Sequence, residues 1–152
     1  MWIIKLFGAG LIAFAGLGLG VHSSLGLKRR ANKLEWYAKA ADAIGVKIES
    51  TAAEIYDIVR LLYGKDDYLV VKKPFSVEVD TADLTERESQ TVNEFFSELG
   101  MGELEAQVKR CKTYAALLGE LQRSAYSEYA EKARLYRILG LFAGVALAVI
   151  MV

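Results

Sequence analysis

Nearly all charged side chains lie in the middle of this 152-residue sequence. Of its 38 Asp, Glu, Lys and Arg residues, 37 lie between positions 28 and 137, and Lys5 is the one outside that range. Apolar residues occupy 17 of the first 27 positions and 13 of the last 15. Segments of this kind avoid water, either by packing or by entering lipid. The distribution excludes an ordinary cytosolic enzyme and predicts two apolar ends around a middle of soluble composition.

The apolar ends have lengths that can be compared with a bilayer. Residues 6–27 form 22 positions without a formal charge, and a helix of about 20 residues crosses the ~30 Å hydrocarbon layer. Residues 138–152 are 15 apolar or glycine residues, which reach only ~22 Å as a helix. We expect an all-α membrane protein in which transmembrane helices at 1–27 and 138–152 flank a cytoplasmic helical bundle at 28–137.

Basic residues beside the apolar ends predict the topology, because Lys and Arg near span ends are retained in the cytoplasm. Both clusters lie on the inner flanks of the predicted spans, which places the termini outside a bacterial cell membrane and the middle in the cytoplasm. Small residues at four-residue spacing further predict close helix packing in lipid. The topology-setting residues are Lys28, Arg29, Arg30, Lys33, Arg134 and Arg137, and the packing glycines are Gly16, Gly20, Gly140 and Gly144.

Other interpretations of the ends are weaker. A cleaved signal peptide would use an A-x-A site at 13–15, but the apolar run continues past that site. A dinucleotide-binding turn would start at Gly8-Ala9-Gly10, but the rest of the chain lacks the alternating strands and helices of a parallel sheet. A buried, non-membrane helix at the C-terminus stays open.

The sequence of the middle region predicts mainly helices. Apolar residues at alternating steps of four and three indicate helix packing over 28–63, and a T-x-x-E capping box at Thr51 leaves one helix or two open. Gly64 is expected to end this region. Residues 68–79 alternate around the single proline and predict a small β-hairpin or an extended connector.

The second half of the middle contains two further predicted helices. A capping box at Thr85 starts the first, whose apolar face is Val92, Phe95, Phe96 and Leu99, and Gly100 and Gly102 break it. The second starts near Glu103 and continues for nearly 50 residues to the C-terminus. Its predicted apolar face is Leu104, Val108, Cys111, Ala115, Leu118, Leu121, Ala125 and Tyr129.

The sequence offers little for catalysis. It has one histidine, His22, and one cysteine, Cys111, so an internal disulfide and a Cys/His zinc set are excluded. Without a histidine base to activate it, Cys111 is expected to be a small buried apolar residue. No phosphate-binding loop of the P-loop type occurs. We therefore expect a protein that is not an enzyme and that carries no cofactor and no metal.

The zero formal net charge hides an uneven distribution. Residues 1–50 carry 7 basic and 3 acidic side chains, residues 51–100 carry 5 and 11, and residues 101–152 carry 7 and 5. Basic residues near a bilayer attract anionic lipid, whereas an acidic surface is repelled by membrane and nucleic acid and suits a basic protein partner. A solvated helix face is the simpler explanation of the acidic residues.

These features resemble the stage III sporulation protein AB family of endospore-forming bacteria. The motifs lie in the C-terminal half: Phe95, then Leu99-Gly100, then Gln107, and an apolar ending with Leu139-Gly140 and Gly144. The sequence departs from the family where a Thr-Pro-Leu is usual, because Ser50-Thr51-Ala52 has no proline, and where Gly102-Glu103 replaces Ser-Asp. The segment 64–83 is also short for a member of this family.

The resemblance implies a membrane component of the channel, or secretion-like, complex that joins mother cell and forespore. It implies a cytoplasmic helical domain, on the mother-cell side, that engages the ATPase of the complex, stage III sporulation protein AA, beside other channel-complex membrane proteins. We expect the partner-facing residues to be Glu86, Glu88, Glu94, Glu98, Gly100, Gly102, Glu103 and Gln107. The alternative is a membrane-anchored helical regulator or lipid-organising protein that self-associates without an ATPase.

Overall fold

The computed structural model describes residues 2–51, 54–64, 68–72 and 76–151, without the side chains of 2–24, 137, 140, 141, 143–145 and 147–151. This part of the chain is mostly helical. In chain order its elements are α1 (Trp2–Ser50), α2 (Ile55–Tyr63), β1 (Leu69–Lys72), β2 (Ser76–Val79), α3 (Glu86–Glu98) and α4 (Leu104–Met151).

The chain divides into two compact units. One comprises the chain up to Ala31 together with the chain from Ser124, and the other is Asn32–Arg123. The sequence-based boundaries at 27/28 and 137/138 are not tested by this division and stay a prediction.

The expected fold class is wrong in its two membrane spans. In the described part of the chain, no helix is both long enough and apolar enough to cross a membrane. The apolar ends are not separate helices but the terminal parts of α1 and α4, which continue into charged turns. From Leu25 onward, α1 carries Lys28, Arg29 and Arg30 within six residues, and charges are costly in hydrocarbon. At the C-terminus, the 15-residue run is shorter than the ~30 Å layer requires.

The predicted small-residue packing rows lie outside the described side chains. Gly16 and Gly20 fall in the first part of α1, and Gly140 and Gly144 in the last part of α4, where only the backbone is described. The same holds for His22.

The region 28–63 forms two helices, which answers the question that the sequence left open. α1 ends at Ser50 and α2 begins at Ile55, with Glu54 as its N-cap. The predicted capping box at Thr51 is wrong, because the helix starts later than the box requires and no side chain caps it. Asp57 instead places a negative charge in the first turn, where the helix dipole favours it. Gly64 ends α2 as predicted, donating its N–H to the Arg60 carbonyl at 2.9 Å.

Residues 68–79 contain the hairpin rather than an extended connector. β1 and β2 pair antiparallel, with Leu69 opposite Val79 and Lys72 opposite Ser76. Leu69 is buried, while Lys72 and Glu78 form an ion pair at 2.5 Å between exposed side chains. The connection at 73–75, which includes the single proline, lies outside the described residues.

α3 forms as its sequence predicts. Thr85 and Glu88 make the capping box, and the predicted apolar face is buried. The helix ends at Glu98 because Gly100 and Gly102 both adopt φ of 92°, a left-handed conformation that side chains disfavour. α4 then runs for 48 residues, which confirms the expected single long helix.

The helices α1, α3 and α4 form most of the core of the Asn32–Arg123 unit, and α2 and β1 add Ile58, Val59 and Leu69. Aromatic contacts join these helices: the Tyr37 and Phe96 rings lie 6.0 Å apart, and the Phe95 and Tyr114 rings 5.3 Å apart. At 4.5–7 Å such pairs add to the free energy gained from burial. The largest fully buried side chains are Tyr37, Phe95, Leu34, Ile44, Ile58, Leu69, Leu118, Val59, Val92 and Cys111.

The other unit contains the first part of α1 and the last part of α4. Ala31 and Ala125 are buried there. Arg30 and Glu128 form an ion pair at 2.8 Å, and Lys132, one turn further along α4, bonds the same carboxylate at 2.7 Å.

Candidate partner-docking site

The acidic residues expected to face a partner divide into two groups. Glu86, Glu94 and Glu103 are exposed, and so is Glu105. Glu98 is partly buried and pairs with Arg110, its carboxylate 3.3 Å from Nε. These four exposed carboxylates form a series along the chain from the start of α3 to the start of α4. Three of them were predicted to face a partner, and Glu105 is an addition from the structure.

Glu88 has a structural position instead. The N–H of Thr85 donates to its Oε2 at 2.8 Å, and its own N–H donates to the Thr85 hydroxyl oxygen at 3.4 Å. The side chain is buried. Because these bonds satisfy backbone donors at the helix start, Glu88 fixes where α3 begins.

The turn between α3 and α4 is held by two side chains of α4. Gln107 donates from Nε2 to the Gly102 carbonyl at 2.9 Å. Arg110 donates to the Glu98 carbonyl at 2.8 Å and to the Met101 carbonyl at 3.3 Å. Gln107 is therefore a support under the turn rather than part of its surface, and it is buried. Among the described residues, its Oε1 is a buried side-chain acceptor without a hydrogen-bond partner.

The same turn exposes two large apolar side chains. Met101 is 62% exposed and Leu104 is 56% exposed. The prediction that Leu104 belongs to the buried face of α4 is therefore wrong, because α4 begins at this residue and its buried face starts one turn later, at Val108. Gly100, Gly102 and Glu103 are exposed around it.

Two of the basic residues assigned to topology make specific contacts within the protein. Lys33 is 4% exposed and donates from Nζ to Asp80 Oδ2 at 2.8 Å and to the Ala82 carbonyl at 2.6 Å. Arg30 pairs with Glu128. Lys28, Arg29 and Arg134 are exposed, and the Arg137 side chain lies outside the described part. The topology role of all six stays a prediction.

Sequence reasoning missed the polar cluster around Lys33. The Tyr37 hydroxyl lies 3.0 Å from the Tyr68 carbonyl and 2.8 Å from the Asp80 carbonyl. Burial, and then the nearby Asp80 carboxylate, raises the pKa of Tyr37 well above its usual range. The hydrogen bond from Lys33, and then the one from the Ala82 N–H, lowers the pKa of Asp80. This cluster fixes the connection between β2 and α3, and so the start of the acidic series.

Cys111 is buried in the core, as its sequence context predicts. Burial raises the pKa of its thiol to about 11, which keeps it protonated and unreactive at neutral pH. In the part of the chain that the structure describes, no group of three His, Cys, Asp or Glu side chains could hold a metal ion.

The described elements define a mostly helical protein of two compact units with one small β-hairpin. Its exposed carboxylates lie along α3 and beside the α3–α4 turn, which hydrogen bonds from α4 side chains hold in place. A sequence model of the stage III sporulation protein AB family matches residues 70–152, more than half of the chain. The chain belongs to the stage III sporulation protein AB family, which confirms the resemblance. Neither a curated protein nor a solved structure matches it.

Proposed function

We propose that this protein is a noncatalytic component of the channel, or secretion-like, complex of endospore formation, and that its Asn32–Arg123 unit docks the ATPase of that complex, stage III sporulation protein AA. Family membership supports a role in stage III of sporulation. The docking role is supported by what the resemblance implies and by the charge of the exposed surface.

The acidic series is the observation that carries this proposal. Residues 94–105 contain four glutamates and no lysine or arginine. Three of the four, Glu94, Glu103 and Glu105, are exposed, as is Glu86 at the start of α3. A concentrated negative surface attracts a basic partner and raises its association rate. Glu88 and Glu98, which are engaged within the fold, position this surface rather than contact the partner.

The proposal also fixes a compartment and further partners. An ATPase uses ATP, so the docking unit belongs on the cytoplasmic side, which is the mother-cell side during sporulation. Contacts with membrane proteins of the complex are part of the same proposal.

Charge reversal at the exposed carboxylates tests the docking role. We expect the triple variant Glu86→Lys, Glu94→Lys and Glu103→Lys to bind purified ATPase at least about tenfold more weakly, because attraction becomes repulsion at three positions. Biolayer interferometry with the full-length chain and immobilised stage III sporulation protein AA measures the dissociation constant. Circular dichroism checks that the variant remains helical.

The matched control reverses three exposed carboxylates elsewhere in the same unit: Asp42→Lys, Glu54→Lys and Glu120→Lys. This control changes the net charge by the same amount but leaves the acidic series intact. We therefore expect it to bind the ATPase more tightly than the first variant does. If both triple variants weakened ATPase binding equally, the net charge of the protein alone would explain the loss. That result would contradict a specific docking surface. A wild-type chain that self-associates in sedimentation and does not bind the ATPase would favour the self-associating regulator instead.

A further inference from the structure

Met101 and Leu104 differ from the apolar residues on either side of them. Leu99 and Val108 are buried in the core, whereas the two side chains between them are more than half exposed. Single exposed apolar residues are common on protein surfaces. These two are three residues apart on one turn, and two further properties of that turn distinguish them.

The first property is a fixed backbone. Four carbonyl oxygens around the turn accept hydrogen bonds from two residues of α4. The Arg110 side chain donates to the carbonyls of Glu98 and Met101. Gln107 donates from Nε2 to the Gly102 carbonyl and from its backbone N–H to the Glu103 carbonyl. The Met101 N–H also donates to the Glu98 carbonyl at 3.2 Å. A surface that is already ordered loses less conformational entropy when a partner binds. The turn is therefore preorganised for contact.

The second property is the charge around the apolar pair. Glu103 lies within it and Glu105 follows it, and both are exposed. Glu98, which precedes it, is paired with Arg110, the residue that also bonds the turn. An apolar centre within a charged rim is the usual arrangement of a binding hot spot. Methionine is also frequent at such centres, since its flexible side chain adapts to a pocket.

We infer that Met101 and Leu104 form the apolar anchor of the docking site, and that the surface they contact is an apolar pocket bordered by Lys and Arg side chains on the ATPase. This inference rests on the proposed function and deepens it, because it assigns the chemistry of the partner surface. The carboxylates increase the rate of association with the ATPase, and the two apolar side chains slow its dissociation.

The test truncates the anchor without altering any charge. We expect the full-length double variant Met101→Ala and Leu104→Ala to bind immobilised stage III sporulation protein AA at least about tenfold more weakly, mainly through faster dissociation. Both side chains are exposed, so the thermal midpoint should stay close to that of the wild type. The matched control is Leu61→Ala on α2, which removes a side chain that is 75% exposed in the same unit.

The outcomes separate this inference from the docking function. Weaker binding by the double variant, with unchanged binding by Leu61→Ala, supports the anchor. Wild-type affinity in the double variant, together with loss of binding in the charge-reversal variant, overturns the anchor and leaves the docking function standing. Failure of the wild-type chain to bind overturns the docking function and the anchor with it.

Discussion

Gly45 lies where α1 contacts α4. A Cβ atom added to Gly45 would be 2.8 Å from the Cβ of Cys111. Real Cβ atoms do not approach so closely, so one of the two helices would have to shift. The buried Cys111 and the absence of a side chain at Gly45 thus form one packing arrangement, which explains why a helix interior keeps a residue of poor helix propensity.

Replacing this glycine should destabilise the protein. We expect Gly45→Ala to lower the free energy of unfolding by about 1–3 kcal/mol, the usual cost of overpacking a core. Gly119→Ala is the control, because no atom lies within 4 Å of its added Cβ. It should raise the free energy of unfolding by about 0.5–1 kcal/mol through helix propensity. Urea denaturation measures both, and stabilisation by both substitutions would refute the tight contact at Gly45.

Among the helices, the start of α3 depends on a single cap. We expect Thr85→Ala to cost about 1 kcal/mol, because it removes the oxygen that accepts the Glu88 N–H. The control is Thr113→Ala, which removes a hydroxyl that donates to the Lys109 carbonyl within α4. Alanine is the better helix former, so the control should be neutral or slightly stabilising. Equal losses in urea denaturation of the two variants would mean that the cap contributes nothing beyond its side-chain bulk.

Sequence patterns predicted the helical elements where the determinants are local. For α3, the signals are the capping box, the apolar face at i, i+3 and i+4, and the paired glycines. All of them lie within the helix or at its ends, so the sequence alone predicts where the helix starts, which face is buried and where it stops. The similar T-x-x-E at Thr51 failed, since a cap works only where the helix actually begins. Lys33 could not be predicted as buried, because its partner Asp80 lies 47 residues away and the pairing depends on tertiary packing. Leu104 continued the apolar period of α4, but at the first helical residue there is no α3 turn left to cover it.

At the scale of the whole molecule, two carboxylates of the described residues, one in each compact unit, should contribute to acid stability. Asp80 accepts hydrogen bonds from Lys33 and Ala82, and Glu128 accepts them from Lys132 and Arg30; these bonds lower the pKa of both groups in the folded state. A lowered folded pKa means that the unfolded chain binds protons more readily. The stabilisation is therefore complete above the ordinary carboxyl pKa of about 4, and it is lost as the pH falls through the lower, folded value.

Asp80→Asn tests this pH dependence. At about pH 7 the variant should be less stable than the wild type by at most about 1 kcal/mol, since the Asp80 side chain is 42% exposed and solvent screens the pair. As the pH falls from neutral through the lowered folded pKa of Asp80, the two proteins should converge, because the wild-type carboxyl becomes as neutral as the amide. Urea denaturation over this range measures the difference, with Asp42→Asn as the control for an exposed carboxylate. The difference in free energy of unfolding between Asp80→Asn and the wild type could instead stay constant from neutral to acid pH. That result would show that the charge of Asp80 does not stabilise the fold. Its contacts with Lys33 and Ala82 would then act through shape and neutral hydrogen bonding alone.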